Sequence, residues 1–315
     1  MKNSWMRLRS LPLWIALSAA LALSACGGGG SGNSATSSPQ FTVTDPNAPK
    51  ATGNTATDGF NLFNYRRQQA GLAALARNST IDIAAQGHSD YQRINNVATH
   101  VQELGKSGFT GVHEGDRLQA AGYVLPSGGY AYGEVISSRS DAQGINAAES
   151  LVAAIYHRFI ILEPMFKEAG VGAATSTGGT TYFTADLAAI GLNAGLASGS
   201  VVVYPVSGQT NVPSSVNSDD EEPDPVPNQN TVGYPVSVHA NLLSTLSVQS
   251  FTIKPHGGTA MATRLLTAGT DTNTPDSAAA IVPLSTLSAA TTYDVQFIGT
   301  VDGIAVNRSW SFTTQ

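Results

Sequence analysis

Cysteine is nearly absent from this chain. The 315 residues include one, Cys26, so no intramolecular disulfide can form. Charge is scarce too. Asp, Glu, Lys and Arg make up 12% of the chain, about half the usual share of roughly 25%. Gly, Ser, Thr and Ala take their place, as expected of an exported protein. The net charge of -6 removes the electrostatic case for a nucleic-acid partner. The N-terminal apolar run, Leu11 to Leu23, is broken by Pro12 and Ser18 and falls short of the ~20 residues of a comfortable membrane span. Local catalytic signatures are missing as well: there is no Gly-x-Ser-x-Gly, no His-Glu-x-x-His and no EF-hand spacing.

The N-terminus has the layout of an export signal. Lys2, Arg7 and Arg9 precede the apolar run, which ends in Leu23-Ser24-Ala25-Cys26-Gly27. That ending resembles the lipobox of bacterial lipoproteins. The resemblance implies that the Cys26 thiol is lipidated, becomes the mature N-terminus and anchors the chain to a membrane of the cell envelope. In Gram-negative members of that class, Gly27 rather than Asp implies the outer membrane. Gly, Ser, Thr and Pro dominate from Gly27 to about Thr55, and nothing there can bury a core. The expected organisation is a signal peptide at 1–26, a flexible linker at 27–55, a first domain at 56–195 and a second at 196–315.

From Asp58 the pattern is helical, with Phe60, Phe63 and Arg67 on one side and Gly71 placed to end the helix. Asn78 or Ser79 is an N-cap for a second helix, whose stripe is Ile81, Ala84, Ala85, His88 and Tyr91. That stripe makes His88 a core histidine. Asn95 to Gly115 is irregular and carries His100, His113 and Glu114; the last two read as a solvated turn. A short helix, Asp116 to Ala121, closes at Gly122. Tyr130 to Ile136 reads as a strand interrupted by Glu134, a carboxylate that needs a partner if buried. Asn146 with Glu149 reads as a capping box opening a helix to about Arg158. On it Ser150, Ala153, Ala154 and His157 share one face, so small side chains leave room beside an imidazole, or allow close helix packing. Two strands, about 170–174 and 180–187, turn at Gly178-Gly179. Helices followed by a small antiparallel sheet make an α+β fold.

These residues together resemble the CAP superfamily (cysteine-rich secretory proteins, antigen 5 and pathogenesis-related 1), and more narrowly its bacterial SCP-like members. The elements are Asn64-x-x-Arg67 with Gly71-Leu72, Ala84-Ala85, Thr99-His100, Asp116-Arg117, Gly122-Tyr123, Gly133-Glu134, His157-Arg158, Gly170-Val171-Gly172 and Tyr182-Phe183-Thr184. The resemblance covers about residues 58 to 190 and implies an α-β-α sandwich with a groove lined by His100, Glu134 and His157. The chain departs from the family pattern where Gly-Glu-Asn becomes Gly133-Glu134-Val135, where Leu151 replaces a tryptophan, and where the second acid of animal members aligns with Ala154.

Two imidazoles and a carboxylate suit a divalent metal, zinc or magnesium, with open positions. They equally suit a structural network in which the imidazoles satisfy a buried charge. Both readings stand at this point. The groove is expected to bind an apolar or sterol-like lipid ligand or a surface protein; the alternative is a metal-dependent hydrolase acting on peptide or cell-wall material.

Beyond Ser198 the texture changes. Five acids lie within Asp219-Asp220-Glu221-Glu222-Pro223-Asp224, which reads as a solvated loop. Tyr293, Val295 and Phe297 alternate, Asp302-Gly303 turns the chain, and Val306, Arg308, Trp310 and Phe312 continue on alternate positions, with Arg308 marking a solvated face. Short strands at regular spacing imply an all-β sandwich. The ending Thr291-Thr292-Tyr293 … Trp310-Ser311-Phe312-Thr313-Thr314 resembles bacterial Ig-like modules.

Overall fold

The computed structural model describes residues 6–9, 45, 47–127 and 129–315. Cys26 and the linker up to Thr44 lie outside the described residues. The first part of the chain contains β1 (Met6–Arg9), α1 (Thr55–Gln69), β2 (Ala76–Arg77), α2 (Ser79–Asn95), α3 (Glu114–Ala120), β3 (Tyr130–Arg139), α4 (Gly144–Ala153), α5 (Ile155–Ile161), β4 (Glu168–Thr175) and β5 (Thr181–Ile190). The strands form one sheet in the order β1-β3-β5-β4-β2, antiparallel except for the β2–β4 pair.

Side-chain alternation gives the sheet two buried faces. On one face Val135, Val171, Phe183 and Ala185 pack with Leu62 and Phe63 of α1 and Ala148 and Leu151 of α4. On the other, Tyr132 and Ala188 pack with Ile81 and Ala84 of α2 and Leu118 of α3. The result is three layers, helix on sheet on helix. Gly170 and Gly172 set the α2 spacing: a Cβ on Gly170 would stand 2.2 Å from the Asp82 nitrogen, and one on Gly172 2.3 Å from Gln86 Cα. Helix backbone therefore rests directly on strand backbone.

The predicted helix ends mostly hold. The Asn78 side chain accepts from Thr80 N and Ile81 N, and Gly71 takes φ 81° after the end of α1. One helix differs. Asn146 is not its N-cap: α4 begins two residues earlier, and the Glu149 carboxylate instead binds Arg66 of α1. Nor does that helix run unbroken to Arg158. Ala154 is extended, with ψ 121°, and α5 starts anew at Ile155. The cause lies 66 residues downstream.

The second part comprises β6 (Val202–Tyr204), β7 (Ser215–Asn217), a 3-10 turn at Ser218–Asp220, β8 (Thr231–Gly233), β9 (Val236–His239), β10 (Leu246–Pro255), β11 (Thr263–Leu266), β12 (Ala278–Pro283), β13 (Thr292–Val301) and β14 (Ile304–Thr313). Sheets β10-β13-β14 and β11-β12-β9-β6 supply buried residues to one core, and β7-β8 forms a separate ribbon. Tyr293, Val295 and Phe297 are buried, as their alternation requires, and Arg308 is exposed. Asp302 and Gly303 take φ 52° and 79°, the left-handed pair that suits a tight hairpin.

The two parts share apolar packing, with Val236 and Val238 in the same cluster as Leu151 and Ile160. Arg158 is one polar link. Fully buried, its guanidinium donates to the carbonyls of Val152, Ala153 and Pro235 and lies 4.8 Å from the ring centroids of both Tyr204 and Tyr234. Glu163 adds a second link by accepting from Leu242 N at 2.9 Å.

Candidate functional site

The three residues singled out from sequence fall into two settings. His100 and Glu134 come together. Glu134 sits on β3 facing α2 and α3, opposite Asp186 of β5 in the strand register. His100 Nδ1 donates to Glu134 Oε1 at 2.8 Å, and Arg117 of α3 donates to Oε2 at 2.6 Å. Arg117 also binds the His100 carbonyl at 3.1 Å, so one guanidinium holds both the loop and the acid. His88 approaches Glu134 Oε1 at 3.7 Å.

Hydrogen bonds fix the His88 tautomer. Its Nε2–H donates to the Thr99 carbonyl at 2.7 Å, and its Nδ1 accepts from Gln102 at 2.9 Å. Burial pulls the His88 pKa down to about 4, against the nearby Glu134 charge. The ring is therefore neutral at pH 7 and belongs to the core, as its place on the α2 stripe predicts. Burial would raise the Glu134 carboxyl, but Arg117, His88 and His100 together outweigh it and hold the group well below the usual carboxylate range.

Asp186 is the complement. Burial pushes its carboxyl well above the usual value, and the Glu134 charge pushes the same way. Neither Asp186 oxygen meets a donor. A proton on Asp186, available to its neighbour Glu134, is what makes that burial tolerable. Glu114 contributes in the same direction. It is buried at the start of α3, so the solvated turn expected at His113-Glu114 is corrected.

His157 lies in the other setting. It belongs to α5, and its Nδ1 donates to Glu221 Oε1 at 3.0 Å. Glu221 also accepts from the main-chain nitrogens of Ile155, Tyr156 and His157 at 2.7, 2.6 and 3.1 Å. An acid from the second part thus caps α5, which is why the helix breaks at Ala154: four donors converge on one carboxylate only if the chain restarts there. Glu221 is 4% exposed, so the acidic run is not a wholly solvated loop.

His157 and Glu221 border a cleft of 530 Å³ between the two parts. Ser150, Ala153 and Ala154 line it beside His157, the small-residue face expected from sequence. Residues 136–139 of β3 form one wall and residues 215–217 of β7 another. Among the described residues, no group of three or more His, Cys, Asp or Glu side chains is arranged to hold a metal ion. The expected set therefore divides: His100 and Glu134 join Arg117, His88 and Asp186 beneath α2 and α3, while His157 joins Glu221 at the cleft. Sequence reasoning missed Asp186 and Glu221. Asp186 gave a usable signal, an acid inside the apolar strand Tyr182 to Leu187; Glu221 gave none, being one acid in a run.

Residues 60–187 match the model of the Cysteine-rich secretory protein family, CAP. Among solved structures the chain is similar to an extracellular protein containing an SCP domain from Bacillus anthracis str. Ames. Identity there is 22% over 48% of this chain and 45% of that one, with a TM-score of 0.37. It is also similar to an outer surface protein from Borrelia burgdorferi, at 12% identity over 41% of this chain and 88% of that one, with a TM-score of 0.34. The chain thus spans less than half the length of the Bacillus protein. No curated protein matches it. Among the described residues no helix is long and apolar enough to cross a membrane.

Proposed function

We propose, from the CAP domain that residues 60–187 carry, that this chain is a surface-displayed binding protein whose ligand occupies the cleft beside His157. The lipid anchor at Cys26 holds it to a bacterial envelope membrane, and the linker from Gly27 lets it stand off that surface. The ligand is an apolar or lipid-like molecule, or a segment of a surface partner. The observation that carries this reading is the cleft itself. Its 530 Å³ falls within the range of ligand sites, about 300–1,000 Å³, and aliphatic walls alternate there with hydroxyl groups.

The alternative, a zinc or magnesium hydrolase, needs His100, Glu134 and His157 on one ion. As they stand, the residues do not fit it. Both Glu134 oxygens are engaged, and a buried guanidinium 2.6 Å from one of them opposes a second cation. The network beneath α2 and α3 reads better as structural support for the sheet.

Native mass spectrometry with metal analysis, on the full chain and on Ser150→Trp, tests the reading. A co-purifying small molecule lost in Ser150→Trp is the expected result, because the indole fills the cleft. Stoichiometric metal lost in His100→Ala and His157→Ala would refute it in favour of the hydrolase. Cys26→Ser should release the protein from the membrane fraction; a variant still tethered and lipid-labelled would overturn the anchor.

A further inference from the structure

Two strand edges open onto the same cleft. Strand β3 is paired along its whole length with β5 on one side, but on its other side β1 covers only Tyr130 to Gly133. From Glu134 to Arg139 that second edge has no strand partner among the described residues. Strand β7 pairs with β8 alone, so it too has one open edge among the described residues. Ile136 to Arg139 and Ser215 to Asn217 both line the cleft. An unpaired edge presents main-chain donors and acceptors at the spacing of a missing strand.

The edge accepts main-chain pairing. Met6 to Arg9, which processing at Cys26 would remove, lie on it as an antiparallel strand, register-matched from Met6↔Gly133 to Arg9↔Tyr130. The remaining stretch continues that ladder directly into the cleft. At ~3.3 Å per residue, the lined part of β3 matches about four residues of extended chain. The walls also define the side chains that fit. Ser137, Ser138, Ser150 and Ser218 contribute hydroxyls among aliphatic residues, and no Phe, Tyr or Trp lines the space to stack on a sugar or a base. The charges there have internal partners: Arg139 pairs with Asp141 at 3.0 Å, Glu221 with His157 and three amides, and Asp220 accepts from the Asn217 side-chain amide at 2.9 Å.

We infer that the cleft is a strand-addition site: an extended, uncharged peptide segment with small aliphatic and hydroxyl side chains pairs with β3 between Glu134 and Arg139, with β7 closing over it. Main-chain hydrogen bonds supply the affinity and the walls select side-chain size. The inference rests on the binding reading above and names the ligand class for the same cleft.

The probe is a fluorescein-labelled six-residue peptide of alternating serine and valine, titrated by anisotropy into the full chain, with amide hydrogen exchange on the complex. Expected are saturable binding, at least fivefold slower exchange within 134–139 and 215–217, and at least tenfold weaker binding when alternate peptide amides are N-methylated. The methylated peptide tests main-chain pairing without altering the protein, so misfolding cannot mimic the result. Equal binding of the methylated peptide, protection elsewhere, or no binding at millimolar peptide overturns the inference. Protection that grows with protein concentration in the absence of peptide also overturns it, in favour of a second copy of this chain on the edge. The two readings fail separately. A native ligand displaced by Ser150→Trp with no peptide protection leaves the binding function standing and removes strand addition; peptide protection that survives Ser150→Trp removes the cleft from both.

Discussion

Replacing Glu221 by glutamine keeps its shape and removes one acceptor. The consequence follows from how its four bonds divide. Oε1 accepts from Tyr156 N, His157 N and His157 Nδ1, while Oε2 accepts from Ile155 N alone at 2.7 Å. A glutamine can place its carbonyl at the Oε1 position and keep three bonds. Its amide then faces the Ile155 N–H, donor against donor. The loss is one charge-assisted bond and one buried clash, about 2 kcal/mol. Glu221→Ala removes all four and leaves the first turn of α5 uncapped, for about 3–5 kcal/mol. Urea unfolding followed by two probes reads both effects. Trp310, buried in the second part, reports there through fluorescence, and far-UV circular dichroism reports the helices of the first. Glu221→Ala should draw the two transitions apart, because one of the links between the parts is cut while the shared apolar packing, Arg158 and Glu163 remain. A loss below ~0.5 kcal/mol in Glu221→Ala would refute the reasoning. Glutamine as damaging as alanine would refute it too, since charge rather than donor geometry would then govern the joint.

Arg158→Met should cost about 3–5 kcal/mol, since three carbonyls lose their donor and both tyrosine rings lose the cation above them; calorimetry showing under ~1 kcal/mol would contradict it. Arg117→Met leaves the Glu134 charge buried without its guanidinium partner and should cost a similar ~3–5 kcal/mol. Adding Glu134→Gln should recover part of that loss in a double-mutant cycle, and purely additive losses would contradict the pairing. Acid should destabilise the fold through His88. Its folded pKa, about 4, lies below its unfolded value of 6.5, so its contribution is intact above pH 6.5 and is lost as pH falls from 6.5 to 4. The whole effect is about 3 kcal/mol. His239, lowered by burial to about 3, acts in the same direction. Glu163, raised by burial to about 8, acts oppositely and costs stability as pH rises from 4.5 to 8. His88→Gln, which can keep both hydrogen bonds, should flatten the urea midpoint between pH 6.5 and 4; an unchanged slope would sink the assignment.

What the sequence disclosed was local. The α2 stripe, the Asn78 cap, Gly71, the alternation of Tyr293, Val295 and Phe297 and the Asp302-Gly303 turn each lie within a few residues of the feature they specify. The small face beside His157 was legible for the same reason, and it does line the cleft. The partners of the key side chains were not. Glu221 reaches α5 across more than 60 positions and sits among acids whose pattern suggests solvent. Its arrival breaks a helix whose own residues favour continuity, so Ala154 gave no warning. Glu149 matched a capping box by spacing, yet Arg66, one layer away, takes its carboxylate. His100 and Glu134 meet in one network, whereas His157 pairs with Glu221, a partner the resemblance does not contain.

The glycines of β4 have an electrostatic consequence. With no side chains at Gly170 and Gly172, β4 and α2 meet backbone to backbone, and the nearby Glu134–Arg117 pair is buried in a medium of low polarisability. A single methyl group at Gly170 or Gly172 would act as a spacer. By lifting the helix it would admit water, raise the local dielectric constant and weaken the coupling among Glu134, Asp186 and Arg117 without touching any of them. Two residues that carry no charge thus help to keep that acidic pair out of water.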